Sequence, residues 1–126
     1  MPGPSDVPQP IPYQGSKRQI APVLLKYFPE KIYRLVEPFA GSAAISIAVA
    51  TRHRAKRFWL NDAHAPLIRL WRQIIDSPTE LAGAYEELWH NQLGKEREFF
   101  DEVRRRFNQS HDSADFLYLL ARCVKA

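Results

Sequence analysis

Two carboxylates in this sequence stand where a nucleoside could be held. Glu37 closes the run Tyr33-Arg34-Leu35-Val36, and Asp62 follows the run Arg57-Phe58-Trp59-Leu60. Both runs are short, rich in aromatic and branched residues and bounded by turn formers, the pattern of a β-strand. Between them lie the turn Pro38-Phe39-Ala40-Gly41-Ser42 and the small-residue run Ala43 to Thr51, which reads as a helix. A strand, a tight turn, a helix and a second strand predict a parallel pair that brings Glu37 and Asp62 to one edge of the sheet. A carboxylate at the end of the second strand can accept one hydrogen bond on each oxygen from two vicinal ribose hydroxyls. Gly41 permits close backbone approach, and the start of the helix offers N–H groups.

The turn also says which nucleoside. A dinucleotide needs G-x-G-x-x-G and a P-loop needs G-x-x-x-x-G-K-[ST], whereas this turn holds one glycine and no lysine. Glu37, immediately before it, repels phosphate and welcomes a cation. An adenosine without phosphate that carries a sulfonium and an ammonium fits these residues, and S-adenosylmethionine is the expected cofactor.

Other elements must position this edge. Ile20, Val23, Leu24, Tyr27 and Phe28 recur at helical spacing from Lys17 until Pro29, with Ser16 placed as N-cap. A helix is predicted over 65–76 (Leu67, Ile68, Trp71, Ile74, Ile75), followed by others near 79–92, near 95–108 and from Ser113. Phe116-Leu117-Tyr118-Leu119-Leu120 is apolar on almost every side and expects neighbours all round. Residues 1–12 hold five of the ten prolines and read as a disordered leader. The organisation expected is thus leader 1–12, a cofactor-binding βαβ half-domain over 13–76, and a helical segment over 77–126.

Three strings together carry a resemblance: Tyr13-Gln14-Gly15-Ser16-Lys17, then Leu35-Val36-Glu37-Pro38-Phe39-Ala40-Gly41-Ser42, then Leu60-Asn61-Asp62. In that order they resemble the opening of Dam-type N6-adenine DNA methyltransferases, with fainter similarity in 99–108 and 116–119. The resemblance implies an α/β fold, part of a class I, Rossmann-like methyltransferase sheet, whose helical C-terminal segment begins the DNA-recognition region. It implies that Glu37, Pro38, Phe39, Ala40, Gly41 and Ser42 wrap the methionine part of S-adenosylmethionine, that Asp62 holds the ribose, and that Tyr13 and Lys17 line the pocket. Duplex DNA is the implied partner, through Lys17 and, more weakly, Arg104 and Arg105; a cytoplasmic enzyme of a bacterial or phage modification system is the implied setting.

Two departures are visible. The pattern F-x-G-x-G becomes Phe39-Ala40-Gly41-Ser42-Ala43, so an alanine stands at the second glycine. The D-P-P-[YF] or N-P-P-[YF] segment, whose side chain and following carbonyl accept hydrogen bonds from the target amino group, does not occur in this chain. Transfer requires that amino nitrogen to be oriented and enriched in electron density in a dry pocket, so no residue here is assigned a catalytic role. Two parallel strands also leave two open edges in a sheet type normally wider and covered. A second polypeptide supplying the missing strands and acceptor is therefore expected; a truncated reading frame or an artificial boundary are the alternatives. The rival functions are a non-catalytic DNA-binding or regulatory remnant and a methyltransferase acting on RNA or a small molecule.

Composition bounds the rest. The chain has 126 residues, 45% hydrophobic and 25% charged, with a net charge of +4. Residues 1–60 carry nine Lys/Arg against three Asp/Glu, and the remainder nine against eleven, so an anion should approach the N-terminal half. One cysteine excludes an internal disulfide, and no Cys/His spacing suits a metal. Arg52, Arg54, Lys56 and Arg57 are expected to be solubilising, Trp59, Trp71 and Trp89 to be core, Cys123 a buried thiol, and His53, His64, His90 and His111 structural or exposed. For Arg104-Arg105-Arg106, pairing with neighbouring acids competes with a phosphate contact.

Overall fold

The computed structural model describes residues 7–13 and 15–123. The elements are α1 (Ala21–Leu24), a 3-10 turn (Leu25–Tyr27), β1 (Ile32–Glu37), α2 (Ala44–Thr51), β2 (Ala55–Leu60), α3 (Ala65–Asp76), α4 (Pro78–Asn91), α5 (Glu96–Ser110) and α6 (Ser113–Cys123). The chain divides into two compact units, 1–63 and 64–126. The expected boundary at 76 is thus too late: α3 packs with α4 and α6 of the second unit.

In the first unit β1 and β2 form a two-stranded parallel sheet, with Arg34 opposite Arg57, Leu35 opposite Phe58, Val36 opposite Trp59 and Glu37 opposite Leu60. The crossover is α2, whose small and branched residues are apolar on nearly all sides; Ala44, Ile45, Ala48 and Val49 are buried. Ala48 and Val49 join Val7, Ala21, Leu25 and Ile45 in a core flanked by Ile32, Leu35 and Ala55. The leader expectation fails where it can be tested. Val7 is 2% exposed and Ile11 fully buried, because proline forbids a regular element without forbidding burial of an apolar side chain; Arg18 Nε donates to the Val7 carbonyl at 2.6 Å. Residues 1–6 lie outside the described residues.

The first helix is shorter than its periodicity suggests. Pro22 occupies its first turn, where a missing N–H costs nothing, so the helix begins at Ala21 and its N-cap is Ile20, not Ser16. Arg54 is no solubilising surface charge: its guanidinium donates to the carbonyls of Leu25, Phe28 and Pro29 at 2.8–2.9 Å, tying the start of β2 to the end of the 3-10 turn.

The second unit is helical, and α6 touches α3, α4 and α5, as its all-round apolar sequence requires. Tyr118 at its centre is fully buried; its hydroxyl donates to Gln92 Oε1 at 2.8 Å, and the same oxygen accepts from Arg122 at 2.7 Å. Edge-on contacts with Trp89 and Phe99 surround the ring. Arg106 forks onto Asp115 at 2.8 and 2.6 Å, clamping α5 to α6 and holding its guanidinium further above its ordinary range through those bonds. Cys123, expected to be buried, is exposed at the end of α6. No described helix is long and apolar enough to cross a membrane.

Burial pushes the Tyr118 hydroxyl above its ordinary value. A folded-state value above the unfolded one gives stability that is complete below the unfolded value, near pH 10, and is lost as pH rises through the folded one. Tyr118→Phe is expected to cost about 1 kcal/mol at neutral pH through the lost hydrogen bond. It is also expected to flatten the alkaline loss of stability; urea titrations from pH 7 to pH 11 on both proteins check this.

Candidate functional site

The two strand ends are laced together beyond the last ladder pair. Asn61 N–H donates to the Glu37 carbonyl at 2.9 Å, and Ala40 N–H donates to the Asn61 carbonyl at 2.8 Å. Gly41 N–H then donates to Asp62 Oδ2 at 3.1 Å. Glu37, 8% exposed, turns the other way: its Oε1 accepts from both the N–H (3.0 Å) and the hydroxyl (2.6 Å) of Ser46. A carboxylate in the first turn of α2 satisfies N–H groups that the helix leaves unbonded and complements its positive end. Asp62 does not cap α3, whose N-cap is His64 with no side-chain bond.

The turn between them is held in the left-handed region at both Gly41 (φ 53°) and Ala43 (φ 54°). At Gly41 a side chain would meet more than strain, since a Cβ there would stand 3.2 Å from Tyr13 Cε1. The tyrosine ring lies over the glycine. Ala43, at the second glycine of the family-like pattern, adopts a conformation that costs an L-residue about 1–2 kcal/mol. Its methyl is buried, and its N–H donates to the Ala40 carbonyl at 2.7 Å. The alanine at the second glycine of F-x-G-x-G is thus held in a strained backbone region.

These residues border one cleft of about 230 Å³, lined by Tyr13, Gly15, Ser16, Lys17, Glu37, Phe39, Ala40, Gly41, Ser42, Ala44 and Asp62. A second clasp joins the N-terminal segment to the turn: Ser42 Oγ donates to Ser16 Oγ at 2.9 Å.

A family model described as D12 class N6 adenine-specific DNA methyltransferase matches residues 13–126. The chain belongs to that family. Among curated relatives, Type II methyltransferase M1.LlaDCHI of Lactococcus lactis subsp. cremoris is 30% identical over 92 residues, 73% of this chain and 30% of that protein. The chain thus spans about 30% of that relative's length. No solved structure matches it.

Of the residues expected at a cofactor site in this family member, Tyr13, Lys17, Glu37, Phe39, Ala40, Gly41, Ser42 and Asp62 border the cleft, and Pro38 does not. Phe39 lies 79% exposed at its rim. Of the residues expected to meet DNA, Lys17 is exposed at the cleft; Arg104 is exposed and 3.7 Å from Asp101, and Arg105 is exposed on α5. Arg106, the third of the triplet, is spent on Asp115. The four histidines are exposed. Ser16, Gly15, Ala44 and Ser46 were not singled out from the sequence as site residues. The first two fall inside the motif Tyr13 to Lys17 and so had a signal, but the hydroxyl pair and the Ser46–Glu37 bond join residues far apart in sequence or on different elements.

Gly41→Ala is expected to destabilise the protein by about 1–2 kcal/mol from its left-handed backbone, with a further loss from the clash with Tyr13. In a double-mutant cycle, Tyr13→Ala should remove the second part and leave the first, read by denaturant midpoints of the four proteins.

Proposed function

We propose that this chain is the S-adenosylmethionine-binding part of a site-specific DNA adenine-N6 methyltransferase, completed by a second polypeptide that carries the [DN]-P-P-[YF] acceptor. The observation that supports this most is the strand-end lacing, which puts Asp62 and the Gly41 turn at the lip of one cleft, with the Glu37 carboxylate beneath it. The cofactor supplies a sulfonium methyl. Family membership supports its use, and the residues fit it in chemistry: a carboxylate for the ribose, buried negative charge beside the turn, and no phosphate-binding glycine repeat.

Asp62 Oδ2 accepts a bond from Gly41 at the lip of the cleft, and a carboxylate can accept about four in all. Glu37 holds the first turn of α2 and contributes its charge through the cleft floor. Tyr13 fixes the turn from above, and Ser16 and Ser42 keep the Lys17 segment against it. A cleft of about 230 Å³ is below the usual range for a ligand of this size, roughly 300–1,000 Å³, so it encloses part of the molecule. The remaining walls, the acceptor for the target amino group, and the rest of a class I sheet belong to the partner. Soluble, bacterial or phage-encoded modification of duplex DNA is the setting this reading carries with it.

Calorimetric titration of S-adenosylmethionine is expected to show weak binding to the chain alone and tighter binding once a partner carrying the acceptor motif is added. Asp62→Asn keeps an acceptor for Gly41 but loses a ribose acceptor; it is expected to weaken binding at least about tenfold. Unchanged affinity would overturn the site. Labelled methyl transfer to adenine in duplex DNA, seen only with both polypeptides, separates this enzyme from a remnant that retains DNA in a salt-dependent way without responding to cofactor.

A further inference from the structure

The strands have a second edge, where they begin, and a cavity of about 510 Å³ stands there. Ile32 N–H donates to the Arg54 carbonyl at 2.7 Å, which sets the entry of β1 beside the entry of β2. The lining is Pro22, Leu25 and Phe28, which are apolar, together with Lys26, Glu30, Arg52 and Arg54. Each of these residues precedes β1 or lies between α2 and β2, and none borders the Gly41 cleft at the other edge. Six-residue strands put roughly 20 Å between the two edges.

The charge of this cavity is unbalanced. Three cations stand with one carboxylate, and none of the four forms an ion pair among the described residues. The carbonyls of Leu25, Phe28 and Pro29 fix the Arg54 guanidinium without neutralising it, and its buried Nε has no acceptor. Arg52 has a single 3.5 Å contact with the Ala48 carbonyl, at the limit of a hydrogen bond. Other arginines of this unit rest on rings: Arg34 lies 5.9 Å from Trp59, a residue expected in the core and found 59% exposed, and Arg57 lies 5.7 Å from Tyr33. The Arg54 staple needs neither Lys26 nor Arg52, and gathering both around an unpaired guanidinium adds repulsion.

We infer that this cavity binds a phosphomonoester carried on an apolar body, with the phosphoryl oxygens on Lys26 and Arg52 and the body against Pro22, Leu25 and Phe28. Three cations and one carboxylate leave a charge of +2. A phosphomonoester, close to −2 near neutrality, complements it, whereas a carboxylate or the diester of a nucleic-acid backbone brings half that charge. Guanidinium and ammonium groups suit phosphate as fork and point charge, and the volume lies within the range of roughly 300–1,000 Å³ usual for small-ligand sites. The site lies outside the cofactor cleft and does not rest on the cofactor reading.

The test is titration of the full chain with phenyl phosphate, followed by its phosphorus resonance at constant ionic strength and about pH 7.5, above the second phosphate pKa near 6. Phenyl phosphate is expected to bind at about 1 mM or tighter, and inorganic phosphate at least about fivefold more weakly. Lys26→Gln combined with Arg52→Gln is expected to weaken phenyl phosphate at least about tenfold while circular dichroism and S-adenosylmethionine titration stay unchanged. Lys26→Gln alone, which leaves the end of α2 intact, is expected to weaken it at least about threefold, and Glu30→Gln to tighten it at least about twofold. Absence of binding up to about 10 mM overturns the inference, as does equal affinity for the two phosphates or affinity unmoved by the Lys26 and Arg52 substitutions. Displacement of phenyl phosphate by S-adenosylmethionine would put it in the other cleft and overturn the site. Displacement by a short DNA duplex whose own affinity falls with the same substitutions would assign the cations to a nucleic-acid backbone and overturn the small ligand.

Discussion

The whole site depends on backbone hydrogen bonding that continues past the ends of two short strands. Six-residue strands cannot by themselves fix the path of the loop that follows. Asn61 donating to Glu37 and Ala40 donating to Asn61 extend the parallel pairing into the turn, and the Gly41 N–H then reaches Asp62. Each of these bonds converts the end of β2 into a support for the turn that leaves β1. Glu37 supplies the matching support from below through Ser46. The two carboxylates thus have a structural duty alongside the binding duty proposed for them. The duties are compatible because a carboxylate has more acceptor sites than one turn can occupy.

How much of this could be read from the chain varies with how local the cause is. β1, α2, β2 and α3 lie within two residues of their expected limits, because each is set by its own periodicity and bounded by its own turn formers. The residues of the cleft were also legible, since a parallel βαβ unit has one edge at which strand ends and helix start converge. What was not legible depends on partners distant in sequence. The burial of Val7 and Ile11, the Ser16–Ser42 clasp and the role of Arg54 as a staple for three carbonyls all join segments more than ten residues apart. The error over α1 is different. Pro22 is a local signal for a helix start, and the apolar spacing that begins at Lys17 masks it.

Strain and glycine are distributed in this turn according to what each position can bear. Gly41 needs both a left-handed backbone and empty space beneath the Tyr13 ring, and only glycine meets both. Ala43 needs the same backbone region but no such emptiness, since its methyl is taken into the core beside α2. Burying that methyl offsets much of the backbone cost, by about 0.8 kcal/mol. This explains how a glycine pattern can relax at one position and not at the other.

The asymmetry of the sheet follows from the same economy of parts. On one face, α2 fills the space with alanine and valine, and Ser46 of α2 donates to the Glu37 carboxylate. On the other, Arg34 and Arg57 stand abreast with Val36 and Trp59, an arrangement unfavourable in water on both counts, repulsion and exposed apolar area.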